Sequence, residues 1–387
     1  MTKKHDVFSE KDKKIIYLFA KKCLKLRTTC ILDTSVLTPT NFQKEKLKFM
    51  HSKTYNPRFT YKKISVKKIV RELETLRNQL EIMRLPQDLA IYFLDYIDNL
   101  ELLSKTVQSI GLDTFPELTK KLFNISVSNA HDVLQTLPKI AFQEEKKPTM
   151  HSAEEIASIF HEYLQTYHEL YNYKIYLDTF NDHTIRVGEK QLVIGSRVKR
   201  TASNVNRLIV HEIESHILQR YNTKIGKNPL VRLICAGEHD MLSEGLAVFN
   251  EVYTKTITHK AYATYFYRLK AVEMLNCSFR EIYTYLTNFV TPHQSFIITA
   301  RVKRGMTDTS KPGGFPKDAS YLLGYDKINK YVSDGGDLPF LYIVRNPEYG
   351  KILAKYNLLT TADYVLPKFL RKKSLLQPLQ NQLAILN

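Results

Sequence analysis

Arg207-Leu-Ile-Val-His211-Glu212-Ile-Glu-Ser-His216-Ile-Leu-Gln-Arg220 is the stretch on which the reading of this chain turns. Two histidines flank a glutamate that directly follows the first. In the zinc-peptidase signature H-E-x-x-H the histidines stand four apart, so both imidazoles face one ion and the glutamate beside them acts as general base. Here the gap is five. On a regular helix, five steps of ~100° place the two rings about 140° apart, too far round to share an ion. Spacing alone leaves two readings. A π-bulge near Ile213 to Ser215 would bring His211 and His216 back onto one face. Otherwise His216 and Glu212, four apart, form a buried hydrogen-bonded pair in the apolar stripe of Val205, Leu208, Ile209 and Ile213.

Leu242-Ser-Glu244-Gly-Leu-Ala-Val-Phe-Asn-Glu251 follows downstream. A carboxylate inside an apolar, helix-like run needs a partner. Glu244 reads either as a third metal ligand on a second helix or as an acid favoured by a helix N-terminus. Glu251, seven residues on and on nearly the same face, is the rival third ligand. Glu238, His239 and Asp240 read as supporting or capping residues just ahead of this helix.

Three blocks in order then carry a resemblance: His211-Glu212-x-x-x-His216, Ser243-Glu244-Gly-Leu-Ala247 and Arg301-Val-Lys-Arg-Gly305. Together they resemble the family of microtubule-associated tyrosine carboxypeptidases and bacterial "QEGLA motif" proteins, the latter labelled flavohaemoglobin expression modulators. Tyr55-Asn-Pro-Arg-Phe-Thr-Tyr61, Gln191-Leu-Val-Ile-Gly195 and Thr307-Asp-Thr-Ser-Lys-Pro-Gly-Gly-Phe-Pro-Lys-Asp318 agree with it, over about Tyr55 to Leu370. Ser243 departs from the usual Gln or Glu, a change expected to leave metal binding untouched. The resemblance implies a gluzincin-like metallopeptidase: one zinc on His211, His216 and Glu244, with Glu212 as general base. It also implies a peptide C-terminus as substrate and a terminal tyrosine on an acidic, tubulin-like tail. Arg301, Lys303 and Arg304 are the expected grip on the terminal carboxylate, since a guanidinium fork matches a carboxylate. Tyr321, in Lys317-Asp-Ala-Ser-Tyr321, is the candidate donor to the developing oxyanion. An endo- or aminopeptidase, and a non-catalytic regulatory or binding protein with a structural metal site, are the alternatives.

The 387 residues suffice for one large core or two modest ones. No apolar run reaches the ~18 residues of a membrane span, and no signal peptide opens the chain. A cytoplasmic protein is expected, with a signal-less secretion route left open. Cys23, Cys30, Cys235 and Cys277 lack C-x-x-C spacing and imply no disulfide framework. The net charge of +18 is spread in lysine pairs along the chain. It attracts acidic partners, but no nucleic-acid motif accompanies it, and a lysine-rich solubilising surface is the plainer account.

The expected fold is mostly α with a small antiparallel β-sheet (α+β). Residues 1–50 form an N-terminal extension with a helix over about Glu10 to Leu26. Residues 51–147 form a helical scaffold, with stripes Val70-Leu73-Leu76-Leu80 and Leu89-Ile91-Leu94-Ile97-Leu100. Residues 148–372 form the metallopeptidase core, opened by the capping box Ser152-x-x-Glu155 and a helix to about Tyr171. Residues 373–387 are a tail. Strands at Tyr173 to Leu177, Thr184 to Val187 and Gln191 to Ile194 precede the histidine helix.

Overall fold

Ser9 starts the first helix, Glu10–Thr29: its hydroxyl accepts from the Asp12 backbone N–H, and Asp12 reaches back in a capping box. The computed structural model describes residues 8–30, 32–137, 140–142, 149–179, 185–188, 191–225, 228–359 and 364–371. Residues 143–148, where scaffold and core meet, the tail and Thr184 lie outside them. Four scaffold helices follow at Lys67–Met83, Gln87–Gln108, Phe115–Phe123 and Val127–Thr136. Their buried faces are shifted slightly from the expected stripes. Ile69 is inside and Val70 half outside; Phe93 is inside while Ile91 and Leu94 face out.

Ser152 caps the next helix, Ala153–Gln165, as the sequence predicts, but the helix stops short of Tyr171 and a 3-10 turn takes over at His168–Leu170. Then come the strands. Met150–His151 (β1) pairs antiparallel with Arg200–Thr201 (β5), directly before the histidine helix. Lys174–Asp178 (β2), Ile185–Val187 (β3) and Gln191–Gly195 (β4) form a three-stranded sheet in the order β2-β4-β3. The expectation of an antiparallel sheet is corrected here. β4 is antiparallel to β3 but parallel to β2, because the chain returns from β3 into the middle of the sheet.

The histidine helix runs Ala202–Leu208, then Ile209–Ile217, then Leu218–Ile225. It packs on the Glu244 helix, Ala236–Tyr253, which in turn lies against Ser320–Ser333. Helices at His259–Glu273, Phe279–Leu286 and Pro292–Lys303 complete this half. The last two open on caps from Ser278 and Thr291. One continuous apolar cluster joins Ile16 and Phe19 of the first helix to Phe93, Ile213, Leu246 and Leu322. The N-terminal helices and the half that carries the histidines therefore share a core. A second cluster seats Phe59 against Phe49, Phe279 and Phe296. No described helix is long and apolar enough to cross a membrane.

Candidate metal centre

The segment Ile209–Ile217 is a π-helix, the irregularity that the five-residue gap demands. Local chemistry explains why it is tolerated. The Ser215 hydroxyl donates to the Val210 carbonyl five residues back, at 2.8 Å, and accepts from Asn250 Nδ2 at 2.8 Å. Asn250 in turn donates to the Tyr342 hydroxyl. Ile213 and Ile217 are fully buried beneath. On the same segment Glu214 is buried too, accepting from Tyr167 Oη at 2.6 Å, from the Lys368 backbone N–H at 2.9 Å and from Tyr163. Each face of the π-segment is thus held by a different neighbour.

The widened turn brings the imidazoles together, with ring centroids 4.9 Å apart. Glu244 Oε2 lies 3.6 Å from His211 Nε2 and 3.6 Å from His216 Nε2. One donor atom from each residue falls within 4.8 Å of the others. Ligands ~2.0–2.1 Å from a tetrahedral ion sit about 3.3–3.4 Å apart, so this spacing fits a single divalent cation. The donor set also fits chemically, since two imidazoles and one carboxylate are what zinc takes when one position stays open.

Glu251, the rival ligand, stands behind His211. Its Oε1 accepts from His211 Nδ1 at 2.6 Å, from Arg207 at 2.6 Å and from Tyr265 Oη at 3.0 Å. A carboxylate on Nδ1 fixes the proton there and turns the Nε2 lone pair toward the ion position. Ser243 plays the corresponding part for His216, with its Oγ 3.2 Å from Nδ1 and 3.3 Å from Gln219 Oε1. Burial disfavours charge on His211, but Glu244 and Glu251 outweigh it and push its pKa up to about 10. Both carboxylates are held below their usual range despite burial. The field at this spot favours a cation.

Glu212 is half-buried and makes no hydrogen bond or ion pair with another described residue. It lines a cavity of about 1030 Å³ with His211, Arg207, Tyr265, Arg268 and Tyr321. Tyr321 stands 6.5 Å from the His211 ring, stacked on Tyr265. Burial, and Glu244 after it, raise its pKa, so the hydroxyl keeps its proton and can donate.

The basic block divides. Arg301 makes a two-pronged bond to Asp318, at 2.5 and 2.6 Å. Arg304 lies 3.9 Å from the same carboxylate with its guanidinium 4.6 Å over the Phe315 ring. Burial and the neighbouring Arg301 push Arg304 down to about 10. Lys303 corrects the expectation of a carboxylate grip. It is fully buried on the other side of the helix, donating to the carbonyls of Leu275, Lys311 and Gly313. There it pins the Gly-rich loop; an ammonium buried at this position needs those acceptors.

Arg268, from the helix His259–Glu273, was not singled out from the sequence. Its guanidinium lies 5.3 Å over Tyr321, and its buried Nε stands 4.0 Å from Asp318 without a hydrogen bond. Arg268, Arg301 and Arg304 thus share one carboxylate, leaving two positive charges beside the cavity. No motif marks Arg268; only its place in the fold does. His239, His161 and His168 lie away from the donor cluster, the last two exposed.

Glu244 owes its position to the next residue. A Cβ on Gly245 would sit 2.2 Å from the Gly324 backbone, so the Glu244 helix and the Tyr321 helix cross at bare backbone. The outer motifs are architectural. The Phe59 amide donates to the Thr307 carbonyl, Thr309 donates to the Pro57 carbonyl, and Tyr61 Oη accepts from the Gly305 amide.

Residues 47–386 match the family described as "Microtubule-associated tyrosine carboxypeptidase". Over 175 residues the chain is 29% identical to the Mus musculus protein named "Putative tyrosine carboxypeptidase MATCAP2", a stretch covering 43% of this chain and 33% of that protein. With the Homo sapiens protein of the same name it shares 28% over 172 residues, 42% of this chain and 32% of the relative. The matched stretch therefore spans about a third of the length of these relatives. With the three motif blocks in one site and the family matched across most of its length, this chain belongs to the microtubule-associated tyrosine carboxypeptidase family.

Proposed function

We propose that the protein is a zinc-dependent carboxypeptidase that cleaves the last peptide bond of its substrate. The observation that carries this reading is the convergence of His211 Nε2, His216 Nε2 and Glu244 Oε2, at 3.6 Å separations, beside an unpaired Glu212 on a cavity wall. Zinc held by those three residues would polarise the scissile carbonyl and acidify a water molecule. Glu212 would take the water proton and deliver it to the leaving amine, the work of a general base turned general acid. The Tyr321 hydroxyl would donate to the oxyanion. A closed structural site would have a fourth protein ligand and no need of Glu212; among the described residues the cluster has three members.

For the terminal carboxylate the favoured holder is Arg268, backed by Arg301 and Arg304. Arg301 spends its fork on Asp318, whereas Arg268 lines the cavity 4.0 Å from that carboxylate and makes no hydrogen bond to it. The names of the mouse and human relatives point to a terminal tyrosine, and the cationic surroundings suit an acidic tail. The test is a pair of peptides ending in Glu-Glu-Tyr, one with a free carboxylate and one amidated. Tyrosine should be released from the first only, chelation should abolish release, and Glu212→Gln should keep the metal while slowing turnover by ~10²–10⁴-fold. Arg268→Ala should raise KM for the free acid. Equal cleavage of both peptides would refute the carboxypeptidase assignment.

A further inference from the structure

On the far side of the donor helices lies a second cavity, of about 220 Å³. Arg27, Arg220, Lys224, Arg232, His239 and Arg345 line it, and among the described residues no lining residue is acidic. Among the described residues no carboxylate comes within 4.0 Å of the Arg220, Arg232 or Arg345 guanidinium. Asp240, the carboxylate whose field reaches Arg345, is already engaged by Lys317 at 2.9 Å and His239 at 3.6 Å. Arg345 Nε is buried with no hydrogen-bond partner. Burial first, then Arg220 and Arg232, push Arg345 down to about 9. Burial and Arg345 push His239 down to about 4, so that ring is neutral. Arg27 is fixed in place by a 2.8 Å bond from its guanidinium to the Cys30 carbonyl.

We propose that Arg27, Arg220, Arg232 and Arg345 form a binding site for a phosphate-type oxyanion, either free or as a phosphate monoester. Like charges crowded into a partly dry cavity destabilise the fold unless an anion joins them. A single carboxylate neutralises one of them. A phosphate group carries about −1.5 to −2 at neutral pH and offers three acceptor oxygens to planar guanidinium forks. The cavity is large enough for such a group with its waters.

Position gives the site its interest. Arg220 lies four residues beyond His216, about 6 Å along the helix. His239 lies five before Glu244, about 7.5 Å along the other. Arg27 comes from the first helix, which precedes the region 47–386 matched to the family. An anion here would tie that helix, through Arg220, to the helix that carries both histidine donors. The site uses none of the proposed catalytic residues and does not depend on their assignment.

The test is calorimetric titration of the full chain, at low salt, with inorganic phosphate and with pyrophosphate. A third arm uses a blocked tri-glutamate peptide with no free carboxy terminus. Phosphate and pyrophosphate should bind one per chain and raise the melting temperature. Arg220→Gln/Arg232→Gln should weaken both by about tenfold or more, the loss expected for charge-assisted hydrogen bonds. Arg220→Lys/Arg232→Lys, which keeps the charge and loses the fork, should fall between and guards against misfolding in the first variant. Absence of saturable phosphate binding, or equal binding by the folded double variant, would overturn the site. Tighter binding of tri-glutamate than of phosphate at the same arginines would overturn the phosphate assignment and make this a subsite for acidic side chains.

Discussion

Glu251→Gln isolates the charge behind His211. The amide oxygen can still accept from Nδ1, so the geometry survives while the negative charge goes. In the native protein Glu251 is fully buried and serves His211, Arg207 and Tyr265 through one oxygen. Carboxylates behind a histidine ligand are worth 10–100-fold in metal affinity, about 1.4–2.7 kcal/mol. Arg207, only 10% exposed, would lose its counter-charge; breaking a buried pair from one side costs ~3–5 kcal/mol. The variant should therefore bind zinc 10–100-fold more weakly in competition with a chelator, and its metal-free form should unfold in markedly less urea. The sign with pH follows from the depressed Glu251 pKa. Its contribution is complete above the unfolded carboxylate value of ~4.5 and is lost as pH falls through the folded value. The stability gap between variant and native protein should therefore shrink in acid. A folded Glu251→Gln protein with zinc affinity within about twofold of native would refute the orienting role.

Gly245→Ala should separate the Glu244 helix from the Tyr321 helix, costing ~1–3 kcal/mol or more by overpacking and lowering zinc affinity; thermal melts and metal analysis read both. Ser215→Ala should cost ~1–3 kcal/mol, because the Val210 carbonyl and one Asn250 donor lose their partner; an unchanged urea midpoint would show that the hydroxyl does not hold the π-turn. Burial lifts the Asp337 carboxyl from 3.8 to about 6, so native stability should fall as pH rises through that window. Asp337→Asn should remove the fall, gaining at most about 3 kcal/mol above pH 6 and nothing below pH 4 in pH-resolved urea melts.

What the sequence disclosed and what it hid divide along physical lines. That His211, His216 and Glu244 come together was legible because three donors for one ion demand few residue types at few spacings, and a gap of five admits one helical remedy. Mostly-α architecture followed from apolar periodicity and from the cap at Ser152. Charge on a helix, by contrast, does not say which way it points. Lys303 and Arg301 are neighbours in one block, yet Lys303 turns inward to three carbonyls while Arg301 meets Asp318. Arg268 sits in an unremarkable Tyr-Arg-Leu-Lys run, and only tertiary packing sets it over Tyr321. The sheet failed in direction because its order sets β4 beside the like-directed β2, and local pattern does not encode strand order. Ser243 and Glu251 lie behind the ligands, where the partner is a ring nitrogen on another helix.

The extra residue between the histidines is locked from both sides, so deleting it would restore the H-E-x-x-H spacing only by breaking the packing of the helix beyond it. Upstream, Arg207 is bound to Glu251. Downstream, Gln219 Nε2 donates to the Leu341 carbonyl at 3.1 Å, and Asn222 both donates to the Val365 carbonyl and accepts its amide, at 2.9 and 2.8 Å. Removing one residue from Ile213 to Ser215 would rotate everything beyond it by ~100° and draw it back ~1.5 Å. His216 would then share a face with His211 on a plain α-helix. Gln219 and Asn222, both fully buried, would turn away from their carbonyl partners, leaving several polar groups unpaired at ~1–3 kcal/mol each. The π-segment is consequently the register that lets one helix meet the Glu244 carboxylate at one end and the carboxy-terminal segment at the other.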